Sequence, residues 1–349
     1  GHPLNSLHLE EVDSVLFVES ITGSLREPSF IAKLLRATGT PFAVFRNVTQ
    51  TLRGFRGAPY AERYSAAVFS FASIANGGQP CGDPFGGITI LRKDAMKFVY
   101  GELQKRRDYV EGETVKYVVL HLSQQNRDFR PSEMPKNEGR FPRRQTAQVD
   151  VVGAYEMLNR SHLLFDFVLD ERLTYEYLSQ YRVIFLSNSA CLSDRQCDDL
   201  RKLVDEGRTL IATHETSLLD ELGQTRGEFA LADVLGVDCR GLHGGAADHA
   251  VIYVPQDAEL AGEFGHVICF HGQESAVSIR ADAKLEVLCT RASLDSLERF
   301  DPEKEYDSGE PTATVNRYGK GQAIYLAGDI GSAFLNNPYP PLKRFVAHL

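Results

Sequence analysis

The sequence predicts an α/β protein built from two successive α/β segments and a β-rich extension. Three observations predict it. From Asp13 to about Lys105, strand-like apolar runs alternate with helical patterns; the alternation resumes at Lys116 and runs to Thr213; from about Asp238 the runs become short and are separated by glycine and polar turns. Alternation of this kind is the signature of βαβ units and parallel sheets.

In the first segment, the strand Ser14 to Val18 precedes a helix from Glu27 to Ala37 that stops near Gly39. The strand Pro41 to Phe45 follows. Next comes a helix from Ala61 to Ala75, with Ala66, Val68, Phe69 and Ile74 largely on one side. A third unit opens at Gly77 to Cys81, passes a loop holding Gly82, Gly86 and Gly87, and ends in a helix from Lys93 to Lys105.

The second segment opens with the buried-type strand Lys116 to Leu122. The stretch Gln124 to Thr146 carries six Lys/Arg, three Asp/Glu and three prolines with almost no aliphatic residues, so it is expected to be a long mobile loop. A helix from Gln148 to Asn159, a strand from Leu163 to Val168 and a strand from Val183 to Leu186 follow. The helix after Ser193 is the best punctuated: Ser193 and Gln196 form a capping box, Cys197, Leu200, Leu203 and Val204 make its apolar face, and Gly207 stops it. The strand Thr209 to Thr213 completes a doubly wound unit. Beyond Asp238, short strands are expected at Ala250 to Val254, Val267 to Phe270 and Leu285 to Cys289, with a solvated acidic loop at Asp301 to Glu310 and a hairpin turning at Arg317 to Gly321.

Composition narrows the function. The 349 residues are 43% hydrophobic with a formal net charge of −9, which suits a globular core and opposes a partner held by phosphate neutralisation. No nucleic acid partner is expected. No apolar run reaches the 18 to 20 residues that span a bilayer, and the amino terminus has no signal-like pattern, so no membrane association and a cytoplasmic location are expected. Six cysteines without CxxC pairs read as reduced thiols. Cys269-Phe270-His271, His243 and His249 lack zinc spacing, and Gly319-Lys320-Gly321 lacks the long phosphate-cradling loop, so neither metal nor cofactor is expected.

One stretch carries a family resemblance. Gly153-Ala154-Tyr155, Phe165-Asp166-Phe167-Val168-Leu169-Asp170, Tyr181 to Leu186 with Leu192-Ser193, and Leu203 to Thr213 together resemble the middle domain of family 42 β-galactosidases, the class I glutamine-amidotransferase-like trimerisation domain. Phe71 to Gly78 and Thr40 to Phe45 resemble the end of the barrel that precedes it. The resemblance implies that residues 1–110 are the C-terminal part of a β/α barrel. Residues 111–349 would then be a flavodoxin-like (class I glutamine-amidotransferase-like) domain with a small β-rich extension from about 238. A whole barrel takes about 250 residues, so a longer chain or a second chain would complete this one. The implied function is glycoside hydrolysis on a carbohydrate substrate, β-galactosidase-like or α-L-fucosidase-like, in a homo-oligomer expected to be a trimer. The alternative is a noncatalytic assembly module.

Site candidates follow from strand ends, which face the active site in such barrels. Glu19 ends the first strand and is the candidate catalytic carboxylate; capping a helix or pairing with Arg26 is its structural alternative. Arg46 stands where the resembling β-galactosidases carry their nucleophile, a role a guanidinium cannot fill, so Arg46 and Asn47 are substrate-binding candidates. Asp83, in a glycine-bearing loop, is a third, with an Asx turn as its alternative. His214 and Glu215 follow the strand Thr209 to Thr213 and are expected to reach a substrate or to face solvent. Cys191 follows a strand but lacks a glycine-lined elbow, which weakens an amidotransferase-type nucleophile.

Overall fold

The computed structural model describes residues 16–20, 26–46, 67–68, 70–81, 90–110, 112–130, 149–243, 249–292 and 307–349. They form two compact units that divide between Thr114 and Val115.

In the first unit, β1 (Leu16–Ser20), β2 (Phe42–Arg46) and β3 (Gln79–Cys81) form a parallel sheet in that order. Helix α1 (Arg26–Ala37) connects β1 to β2, and residues 70–74 are helical before β3. Ile31, Ala32 and Leu35 of α1 pack on Leu16, Phe42 and Val44, which is the apolar stripe that the alternation called for. Helix α2 (Ile90–Lys105) follows.

The second unit is organised by one mixed sheet. Its parallel half contains β4 (Val118–Leu122), β5 (Phe165–Leu169), β6 (Val183–Leu186), β7 (Thr209–Thr213) and β14 (Gly321–Leu326), in the spatial order β5-β4-β6-β7-β14. Every residue of β4 and β5 is buried, as expected where helices cover both faces. Helices α3 (Gln124–Phe129), α4 (Val149–Arg160), α5 (Tyr175–Leu178) and α6 (Asp194–Asp205) connect these strands. The Ser193/Gln196 capping box is present, and Leu192 and Cys197 share one core cluster with Leu200, Leu203 and Val204.

The region expected as a separate extension instead widens this sheet. After α7 (Ala232–Leu235), the strands β9 (His249–Pro255), β10 (Ile268–Gly272), β12 (Leu285–Ala292) and β13 (Asp307–Tyr318) continue it antiparallel beyond β14, in the order β14-β13-β12-β9-β10. The parallel half would otherwise leave β14 as an open edge, and the β13/β14 hairpin fills it. The hairpin turn is a packing device: a Cβ on Gly319 would meet Asp205, one on Gly321 would meet the Val204 and Arg208 carbonyls, and the Lys320 N–H donates to the Asp205 carbonyl at 2.8 Å. Strands β8 (Val237–His243) and β11 (Glu274–Ile279) form a separate two-stranded ribbon. Helix α8 (Ala258–Phe264) lies between β9 and β10 in the chain, and α9 (Ile330–Asn336) and α10 (Pro340–His348) close it.

Two expectations need correction. The basic stretch does not begin as a loop, because the Ser123 hydroxyl accepts the Asn126 N–H and starts α3; residues 131–148 lie outside the described residues. Of the acidic stretch, Asp307 to Glu310 is strand rather than loop, exposed from Ser308 to Glu310 as expected, with Glu310 paired to Arg291 on β12; residues 301–306 lie outside the described residues. Among the described residues no helix is long and apolar enough to cross a membrane.

Candidate functional site

The sequence candidates divide between the two units. In the first, the register pairs Glu19 with Phe45 and Phe45 with Cys81, and Ser20 with Arg46. Strands β1 and β2 therefore end level and β3 ends one residue earlier; in sequence, Asn47 follows β2 and Asp83 follows β3. Those two residues lie outside the described residues, and of Glu19 and Arg46 the backbone alone is described.

In the second unit, β5 and β6 flank β4 on opposite sides, so the chain switches direction across β4; the carboxyl ends of strands at such a point are where doubly wound folds place ligands. Here the unit's own side chains occupy that place. His121, fully buried near the end of β4, hydrogen-bonds Ser189 Oγ through Nδ1 at 2.9 Å and Asp170 Oδ1 through Nε2 at 3.1 Å. A carboxylate can only accept, so Nε2 donates to Asp170, while Nδ1 faces the Ser189 hydroxyl. Asp170 also accepts from Ser123 Oγ (2.8 Å) and from the backbone N–H groups of Gln124 (2.6 Å) and Gln125 (3.1 Å) at the start of α3. Burial works against the Asp170 charge, but the hydrogen bond and charge of His121, with those of Ser123 and Gln125, prevail and hold its carboxyl below the usual range.

Serine, histidine and aspartate in hydrogen-bonding sequence are the parts of a nucleophilic triad. Ser189 is only 1% exposed, however, and its hydroxyl is spent on His121. The network pins β4 to the segments following β5 and β6. Cys191 is equally enclosed: it is fully buried with Ala190 and Leu219, its N–H donates to Asn126 Oδ1 at 2.7 Å, and burial pushes its thiol up to about 12. A thiol so disposed supplies almost no thiolate at neutral pH.

A second cluster lies at the ends of β6, β7 and β14. Arg130 reaches Glu215 Oε2 at 2.5 Å and Asp150 Oδ2 at 3.4 Å, and Asn188 donates from Nδ2 to Asp150 Oδ2 at 2.8 Å. Burial opposes the charges on Arg130 and Glu215, but their pairing outweighs it: the arginine is raised and Glu215 lowered. Asp329, buried and hydrogen-bonded to Asp150, is driven well above the carboxylate range by burial first and the Asp150 charge second. His214, with φ of 51°, is fully buried, and burial lowers it; its Nδ1 lies 2.9 Å from Ser275 Oγ and its carbonyl accepts the Tyr325 hydroxyl. Thus Glu215 sits in an ion pair and His214 in the core, rather than both in a solvent-facing loop. Among the described residues no set of three or more His, Cys, Asp or Glu is placed to hold a metal.

No family model matches the chain and no curated protein matches it. Solved structures do. The chain is similar to a β-galactosidase from Bacillus circulans sp. alkalophilus (16% identity, TM-score 0.68, 97% of this chain and 50% of that one). It is also similar to α-L-fucosidase isoenzyme 2 from Paenibacillus thiaminolyticus (21%, 0.66, 95% and 48%) and to an exo-β-1,4-mannosidase from Opitutaceae bacterium strain TAV5 (14%, 0.62, 96% and 60%). The chain spans about half the length of the first two. At these identities the likeness shows the fold, a mixed α/β architecture shared with glycoside hydrolases.

Proposed function

We propose that the chain belongs to a glycoside hydrolase-like protein acting on a carbohydrate, β-galactosidase-like or α-L-fucosidase-like. The observation that carries this reading is a three-stranded parallel sheet whose strands β1, β2 and β3 finish within one residue of one another, at Ser20, Arg46 and Cys81, within a fold shared with three glycosidases. Residues that follow parallel strands at their carboxyl ends gather at one rim. In this reading Glu19 is one of the two carboxylates that glycoside hydrolysis needs, and the other comes from a strand that this three-stranded sheet does not contain. Arg46 and Asn47 donate to sugar hydroxyls or a substrate carboxylate, and Asp83 accepts from sugar hydroxyls. In the second unit, Glu215, paired with Arg130, and the buried His214 are that unit's own candidates at the carboxyl edge of its sheet.

The test is Glu19→Gln in the protein completed to a full barrel, assayed on nitrophenyl galactosides and fucosides. Proton transfer by Glu19 predicts a fall in kcat/KM on the order of 100-fold or more. A rate within about threefold of the parent, less than 1 kcal/mol in transition-state stabilisation, would remove Glu19 from the mechanism.

For the second unit a specific observation favours a noncatalytic, assembling role: its strand-end polar groups largely satisfy one another, as the His121 and Arg130 clusters do. Self-association, with a trimer as the expected state, belongs to this reading. Sedimentation at micromolar concentration should give about three times the 38.8 kDa chain mass. A single monomeric boundary would end it.

A further inference from the structure

Strand β11 begins where β14 ends. The Ser275 N–H donates to the Ala327 carbonyl at 2.9 Å, the Asp329 N–H to the Gln273 carbonyl at 2.9 Å, and Ser275 Oγ lies 2.9 Å from His214 Nδ1. These bonds attach one end of the β8/β11 ribbon to the carboxyl edge of β7 and β14. At their centre stands Glu274, bridged to Gly328 and 1% exposed. Neither of its carboxylate oxygens has a hydrogen-bond partner among the described residues. A buried carboxyl without partners is far costlier as a charge than as a neutral acid.

The groups around it come from every neighbouring strand. His243 faces it in register on β8, Arg291 stands on β12, Tyr253 on β9 and Tyr325 on β14 lie close enough to feel its charge, and His214 and Asp329 follow β7 and β14. Arg291 is the nearest counter-charge, yet its guanidinium serves Glu310 on β13 and the His243 ring. Its own Nε is buried without a partner among the described residues.

We propose that Glu274 is an acid buried at the ribbon's attachment to the ends of β7 and β14, and that its ionisation loosens that attachment. Burial, partly offset by Arg291, pushes its carboxyl up to about 7. For a carboxyl raised in the folded state, the stabilisation is present in acid and is lost as pH rises through that value, so the attachment weakens between about pH 5 and 8.

Native-state amide exchange of residues 237–243 and 273–279, corrected for the intrinsic pH dependence, tests this. Protection should fall about tenfold from pH 6 to pH 8 in the parent chain. Glu274→Gln, which keeps a neutral side chain of the same shape, should abolish the fall. Arg291→Gln should move the transition to higher pH, and Glu310→Gln, which releases Arg291 toward Glu274, to lower pH. A pH dependence that survives in Glu274→Gln would assign the transition to another group and overturn the proposal, as would flat protection in the parent. If Glu274→Gln does not fold, the opposed shifts of the other two variants decide, and shifts in a common direction would also overturn it.

Discussion

Asp170→Ala is expected to destabilise the second unit by about 3 to 5 kcal/mol, enough to lower its melting temperature by roughly 10 °C. The substitution removes no large apolar surface. Its cost lies in four stranded donors: His121 Nε2, the Ser123 hydroxyl, and the Gln124 and Gln125 N–H groups that Asp170 now satisfies. Each buried donor left without an acceptor costs about 1 to 3 kcal/mol, and His121 and Ser123 have no route to water. The loss should depend on pH. Since the fold holds the Asp170 carboxyl below its usual range, its contribution is present above that range and disappears as pH falls through the lowered value. Urea unfolding should therefore show the parent and variant converging as pH falls below the usual carboxylate range toward the lowered value, where the folded parent's own carboxylate is protonated. Equal stability at pH 7 would mean that the network is not what holds β4 to the segments after β5 and β6.

That network shows where sequence reading succeeds and where it stops. Strands β6 and β7 are found with both ends in place, because Val183 to Leu186 and Thr209 to Thr213 are short apolar runs bounded by polar residues. Helix α6 is found because its stop signals are local, in Ser193, Gln196 and Gly207. Helix α3 is missed because its six residues are almost all polar. Asn126 is what it contributes: the side chain donates to the Asn188 carbonyl at 2.6 Å and accepts from the Cys191 N–H, contacts made 62 and 65 residues away in the chain. Helix α9 is missed because Gly331 and the Asn336-Asn337-Pro338 exit look like a turn. His121 offered a signal: a histidine inside the otherwise apolar run Val118 to Leu122 needs partners when both faces of the strand are buried. Asp170 and Ser189 as those partners could not be read, since they come from two other crossovers.

The strand-end candidates of the second unit behave in the same way. Position after a strand correctly marks Glu215 and His214 as lying at the carboxyl edge of the sheet, but not what faces them. Arg130, Asp150, Asn188 and Asp329 arrive from α3, α4 and the ends of β6 and β14. Their meeting depends on how closely α4 and α9 approach.

Gly153→Ala is expected to part those helices. In an exposed helix interior the change gains about 1 kcal/mol, because alanine restricts the unfolded chain and shields the backbone. At position 153 the sign should reverse. A Cβ there would overlap the Gly331 carbonyl oxygen and lie 2.5 Å from its carbonyl carbon, and a Cβ on Gly331 would overlap the Asp150 carbonyl oxygen in turn. Both obstacles are backbone, so no side chain can rotate away. Relief requires α9 to move from α4, which carries the Asp329 cap away from Asp150. A loss of about 3 kcal/mol or more is expected. Gly262→Ala in α8 is the control, since a Cβ at that position meets nothing within 4 Å and should leave stability unchanged or slightly raised. Thermal unfolding of the two variants beside the parent separates the explanations. If both glycines tolerate alanine equally, the α4/α9 crossing is looser than the backbone contact implies, and the approach of Asp150 to Asp329 must be held by Arg130 and Asn188 instead.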